Sequence, residues 1–169
     1  MYFRKYLIVF FLLFVSAYAK DIWYDGNLKG IEEINLDVNL KGSDEAAWRS
    51  RITQYIQLYL LDNELKTSIQ IPMPKLVVDI YIIDSSVEPV SSFLINYSLY
   101  NYAVSESVYY KSIVDTVVTK KFMTNRIYSQ ELLGQSSSAK IYFDVENGIK
   151  RLTSAFIDQW YRDNPLKQF

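Results

Sequence analysis

Residues 33–40 read EINLDVNL. Ile34, Leu36, Val38 and Leu40 fall on one side of an extended chain, and Glu33, Asn35, Asp37 and Asn39 fall on the other. A strict period of two marks a β-strand with one dry face and one wet face. A sheet built on such a strand needs a cover on one side only. The rest of the chain supplies two candidates for that cover.

The first candidate follows at once. Gly42-Ser43-Asp44-Glu45 breaks the strand. Ser43 suits a helix N-cap, and Asp44 and Glu45 suit the positive helix end. Trp48, Ile52, Tyr55, Ile56, Tyr59 and Leu60 then recur at helical spacing, predicting an amphipathic helix to about Leu65. The second candidate comes late. From Ala139, the residues Ile141, Val145, Ile149, Leu152, Phe156 and Trp160 are spaced by three or four, predicting a long helix that stops before Pro165. Gly134 to Ser138 reads as a turn ending in a cap for this helix.

Between the helices lie three more strands. Ile71-Pro72-Met73-Pro74 is a rigid connector. Lys75 to Asp84 alternates Leu76, Val78, Ile80 and Ile82 against Val77, Asp79, Tyr81 and Ile83. Ser85 to Ser92 is a loop. A tyrosine-rich strand runs from about Phe93 to Lys111, and a last strand lies between Thr116 and Leu133. The order β-α-β-β-β-α predicts an α+β fold, a two-layer sandwich. Its sheet has about four strands, mostly antiparallel, and both long helices pack on one face.

This frame gives the tyrosines a place. On the third strand Ile95, Tyr97, Leu99 and Ala103 suit the core. Asn96, Ser98, Tyr100 and Tyr102 suit the uncovered face, where Tyr81 joins them from the neighbouring strand. Tyrosine combines a large apolar area with a hydroxyl and is enriched at interfaces. It also favours strands with no ligand at all. Tyr81, Tyr100 and Tyr102, with Asn96 and Ser98, are the candidate binding residues. Tyr109 and Tyr110 alternate and cannot share one patch. Lys120, Lys121 and Arg126 form a weaker basic cluster, suited to an anionic group or to guarding a strand edge.

The N-terminus reads MYFRKYLIVFFLLFVSAYAK. Arg4 and Lys5 precede an apolar run of 9 residues, Leu7 to Val15, and then Ser16-Ala17-Tyr18-Ala19. The pattern predicts a signal peptide over residues 1–19, cleaved after Ala19. The apolar run is half the length a membrane span needs. The expected destination is the periplasm or the exterior. Residues 20–30, with Trp23 and Tyr24, are expected as a flexible lead-in that docks at one end. Residues 31–165 form one domain, and residues 166–169 a tail.

Composition narrows the chemistry. Of the 18 basic side chains, 16 lie beyond Ala19, against 19 acidic ones. That balance disfavours a nucleic-acid partner. The chain has no histidine and no cysteine. The commonest general base, thiol catalysis, disulfides and ordinary zinc ligation are all out of reach. Lipid attachment through an N-terminal cysteine is likewise not expected. No metal or cofactor is expected. Asp79 with Asp84, or Glu32 with Glu33, are the carboxylate pairs a hydrolase could use.

Three stretches carry a resemblance: LKGIEEINLDVNL (28–40), KLVVDIYII (75–83) and GIKRLTSAFIDQWYRDNP (148–165). Together they resemble a group of small exported bacterial proteins of unknown function. The element order is similar to that of the lipopolysaccharide-assembly lipoproteins of the outer-membrane translocon, which carry the lipidated cysteine this chain lacks. The resemblance implies an envelope protein and supplies no active site. The leading expectation is a non-enzymatic binding or assembly module of the cell envelope, docking a protein through its open, tyrosine-bearing face or an edge. The alternatives are a carrier or sensor of an amphipathic ligand, lipid or glycan, and a carboxylate-based hydrolase.

Overall fold

The computed structural model describes residues 26–42, 46–85, 89–104 and 122–168. The signal peptide, Trp23, Tyr24, the cap residues Ser43 to Glu45, Tyr109, Tyr110, Lys120 and Lys121 lie outside the described residues.

The chain folds as α+β. The elements are β1 (Glu33–Lys41), α1 (Ala46–Asp62), β2 (Lys66–Thr67), β3 (Lys75–Asp84), β4 (Val90–Ala103), β5 (Met123–Ser137) and α2 (Ile141–Asp163). A short 3-10 turn, Pro165–Gln168, follows. The strand order is β2-β1-β3-β4-β5. β1 runs parallel to β2 and to β3, while β3, β4 and β5 form an antiparallel meander. A parallel neighbour demands a crossover, and α1 supplies it between β1 and β3.

Both helices face the core with the residues their spacing selects. On α1 these are Trp48, Ile52, Ile56 and Leu60. Tyr55 and Tyr59 flank that stripe and are half-buried. On α2, Ile141, Val145, Ile149, Leu152, Phe156 and Trp160 are all buried. They meet Leu76, Val78, Ile80 and Ile82 of β3 and Phe93, Ile95, Tyr97 and Leu99 of β4 in one cluster. Gly148 lets α2 approach β4 and β5. A Cβ there would stand 2.6 Å from Leu132 Cδ2 and 2.8 Å from Ile95 Cδ1.

Several details differ from the sequence reading, among them β4, which runs Val90–Ala103 where a loop to Ser92 and a strand from Phe93 to Lys111 were expected. The sheet has five strands, because Lys66–Thr67 adds two residues outside β1. Two residues show no period, so composition leaves no trace of this strand. α1 ends at Asp62 rather than near Leu65. Leu65 is instead fully buried, after Glu64 takes a positive φ of 65°. β5 starts at Met123 and continues through Gly134 to Ser137, where a turn was expected. Finally, Ser138 does not cap α2. Lys140 holds the N-cap position without a side-chain hydrogen bond, and the Ser138 hydroxyl lies 2.9 Å from that of Ser91.

Candidate functional site: the uncovered sheet face

The helices cover one side of the sheet, and register sets out the other in rows. One row is Lys41, Tyr81, Leu94 and Leu133. The next is Asn39, Asp79, Asn96 and Glu131, and then Asp37, Val77, Ser98 and Ser129. The fourth is Asn35, Lys75, Tyr100 and Arg126. Opposite Leu99 and Tyr100 the register shifts and passes over Ile127 of β5. The shift is what brings Arg126 beside Tyr100 while Tyr128 stays beside Leu99 in the core.

All five candidate residues therefore sit on the uncovered side, yet the face does not gather them. Tyr81 pairs with Leu94, whereas Tyr100 is six residues further along the same strand. At about 3.4 Å per residue the two tyrosines stand roughly 20 Å apart along the strand. Tyr102 belongs with Tyr100. Its ring centre lies 5.9 Å from that of Phe122, and Met123 is exposed beside them in sequence. Asn96 and Ser98 lie in the band between the two ends, and Ser98, expected to be accessible there, is buried at 5% exposure.

That middle band is polar and largely self-satisfied. Asn39 Nδ2 donates to Asp79 Oδ1 at 3.0 Å, and Lys75 Nζ pairs with Asp37 Oδ2 at 2.7 Å. The hydroxyls of Ser98 and Ser129 lie 3.2 Å apart. Asn96 Oδ1 is buried without a hydrogen-bond partner among the described residues. Groups so occupied offer little to a ligand.

The end at Tyr81 is different. Lys41 Nζ donates to the Tyr81 hydroxyl at 3.3 Å and lies 4.8 Å from the ring centre. Around it stand Leu94, Leu133 and Ile83. Leu133 is 75% exposed and Ile83 is 69% exposed. These two aliphatic side chains are the strongest departure from a wet face, and the tyrosine-based reading missed their joint position. Leu133 escaped because Leu132-Leu133 presents one leucine to each face, which blurs the alternation.

β5 is the last strand of the sheet and has no strand on its outer side among the described residues. Proteins usually blunt such an edge with lysine, proline or a bulge. From Ser129 to Ser137 the only charged residue of β5 is Glu131. Arg126, from the expected basic cluster, is exposed further along the same strand.

The carboxylate pairs do not converge. Asp79 faces the open side with Asn39, whereas Asp84 Oδ1 accepts from Ser91, a buried residue on the helix side, at 2.5 Å. Glu32 pairs with Lys167 at 3.3 Å, and Glu33 is exposed on β1.

No family model matches the sequence, and no curated protein matches it. Among solved structures the chain is similar to a minor lipoprotein from Acinetobacter baumannii. The identity is 9%, the match covers 80% of this chain and 95% of that one, and the TM-score is 0.32. A likeness that low carries no argument about function. Among the described residues no helix is long and apolar enough to cross a membrane.

Proposed function

We propose that this protein is an exported, non-enzymatic binding module of a bacterial cell envelope. Its partner is a protein that lays an extended segment along the β5 edge and seats apolar side chains on Leu133, Ile83 and Leu94. One observation supports this reading above the rest: exposed Leu133 stands on the open face of β5, whose outer side has no strand among the described residues, and Leu94 of β4 and exposed Ile83 of β3 continue the apolar surface inward. Strand addition takes its affinity from main-chain hydrogen bonds and its specificity from alternate side chains. The patch supplies the side-chain half and the edge supplies the main-chain half. Tyr100 and Tyr102 lie too far from this corner to share it, so the docking role moves from the tyrosines to the aliphatic pair, with Tyr81 at its rim.

A photoreactive residue at Gln135, introduced in the native host, tests the proposal. One discrete adduct is expected there and not from the same probe at Arg151, on exposed α2. Leu133→Lys with Ile83→Lys should abolish that adduct. An adduct that forms equally at Arg151, or that survives the double substitution, overturns the reading.

A further inference from the structure

On the opposite side of the molecule, α1 and α2 flank a half-open cavity of about 180 Å³. Its lining is Arg51, Ile52, Tyr55, Glu146, Ile149 and Lys150. Ile52 and Ile149 are buried and form an apolar floor. Tyr55 walls one side. The charges sit at the mouth, with two cations against one anion. Glu146 is already engaged, since Oε1 accepts Trp48 Nε1 at 2.8 Å and pairs with Arg51. Lys150 has no carboxylate partner among the described residues. Its ammonium stands 5.9 Å from the centre of the Tyr55 ring.

We propose that this cavity binds a small carboxylate-bearing amphiphile, with its apolar part on Ile52 and Ile149 and its carboxylate at Lys150. Size and charge both point there. A dry cavity of about 150 Å³ accepts a benzene-sized group, so this one takes a single ring or about six carbons. An apolar group seated against this floor gains dispersion contacts. An ammonium at its mouth with no carboxylate partner among the described residues selects an anion over a cation of equal shape. Burial and the neighbouring Tyr59 raise the pKa of the Tyr55 phenol, so this wall stays neutral and holds the Lys150 ammonium only through the face of its ring. A larger hollow of about 600 Å³ beside α1 and β2 is an open groove whose apolar residues, Leu58 and Leu61, are exposed among Glu33, Gln54, Gln57, Lys66 and Thr67.

Titration of the isotope-labelled protein with hexanoate, followed by amide NMR shifts, tests this site. Saturable shifts are expected in residues 51–55 and 146–150, with a Kd on the order of 1 mM for a ligand of this size. Hexylammonium should bind at least about tenfold more weakly. Lys150→Gln should weaken hexanoate about tenfold, while Lys140→Gln, which alters net charge equally far from the cavity, should not. Dodecanoate reports on volume. Each further buried methylene would tighten binding about fourfold, whereas a chain that outgrows the cavity gains little. The proposal is overturned by the absence of saturable shifts in these segments, by equal binding of hexylammonium, by equal effects of the two lysine substitutions, or by a gain above about a thousandfold with dodecanoate.

Discussion

The Asp163 carboxylate accepts the backbone N–H of Leu28 at 2.8 Å and that of Gly26 at 3.0 Å, tying the end of α2 to a turn more than 130 residues earlier. Its neighbours complete the clamp. Asn164 accepts from Gly30 N at 2.8 Å and donates to the Leu28 carbonyl at 3.0 Å, while Trp160 Nε1 donates to the Ile31 carbonyl at 2.7 Å. Leu28 is fully buried beneath this network. The stretches LKGI and WYRDNP, which carried a resemblance in the sequence, are thus each other's partners. The same clamp holds the turn that leads into β1.

Asp163→Ala should therefore destabilise the protein strongly. Two N–H groups and the Gln159 amide, which donates to Asp163 at 2.9 Å, all lose their acceptor. A buried donor left unsatisfied costs about 1–3 kcal/mol, so a loss of roughly 3 kcal/mol is expected by urea denaturation. Asp163→Asn keeps one carbonyl oxygen and should lose about half as much. Faster hydrogen exchange at Leu28 is the local signature. A loss under about 0.5 kcal/mol for the alanine variant would mean the clamp is dispensable.

Two glycines with similar backbone angles should respond differently. Gly26 and Gly42 have φ of +85° and +89°. A Cβ at Gly26 meets nothing within 4 Å, whereas at Gly42 it would sit 1.8 Å from the Ile82 carbonyl oxygen. Gly26→Ala should cost only the left-handed conformation, about 1 kcal/mol. Gly42→Ala must also displace the backbone of β3 and should cost about 3 kcal/mol or more. Thermal midpoints of the two variants measure the difference directly.

The Tyr97 phenol gives a pH-dependent test. It is fully buried, and its hydroxyl makes no hydrogen bond among the described residues. Burial raises its pKa above the ordinary 10.0, and the nearby Thr153 hydroxyl offsets only part of the rise. The neutral phenol's full contribution is present below pH 10, where folded and unfolded chains are both protonated. Above it, the unfolded chain sheds a proton that the folded chain retains. Stability then falls by up to about 1.4 kcal/mol per pH unit. Tyr97→Phe should be neutral or slightly stabilising at pH 7, by about 0–1 kcal/mol. Its advantage over the parent should widen above pH 10. Parallel curves for the two proteins between pH 9 and 11 would contradict the assignment.

Much of the fold was legible because burial is periodic. Every stripe residue expected on α2 is buried, and both faces of β3 are assigned by simple alternation. What escaped did so for physical reasons. Lys66–Thr67 pairs through its backbone, which leaves no mark on side-chain type. Gly134 reads as a turn, yet it is in register with Phe93, whose ring occupies the space a Cβ would need. The candidate site fared less well for a related reason. Alternation assigns a face, but not a position along it. Tyr81 and Tyr100 share a face and still sit at opposite ends, because β3 and β4 are antiparallel and their register was not readable.

The last prediction separates docking from folding. Leu133 and Ile83 are 75% and 69% exposed, so replacing both by lysine removes little buried area. Each substitution should change stability by no more than about 0.5 kcal/mol. Ile80→Lys, one residue before Tyr81 on the same strand, is the contrast. Ile80 is 1% exposed, and an unpaired ammonium among Leu76, Val78 and Ile95 would have no partner, so loss of the folded state is expected. Circular dichroism melts should show the double variant within a few degrees of the parent and Ile80→Lys without a cooperative transition. If the double variant unfolded instead, Leu133 and Ile83 would be supporting the sheet itself, and their exposure would no longer point to a partner.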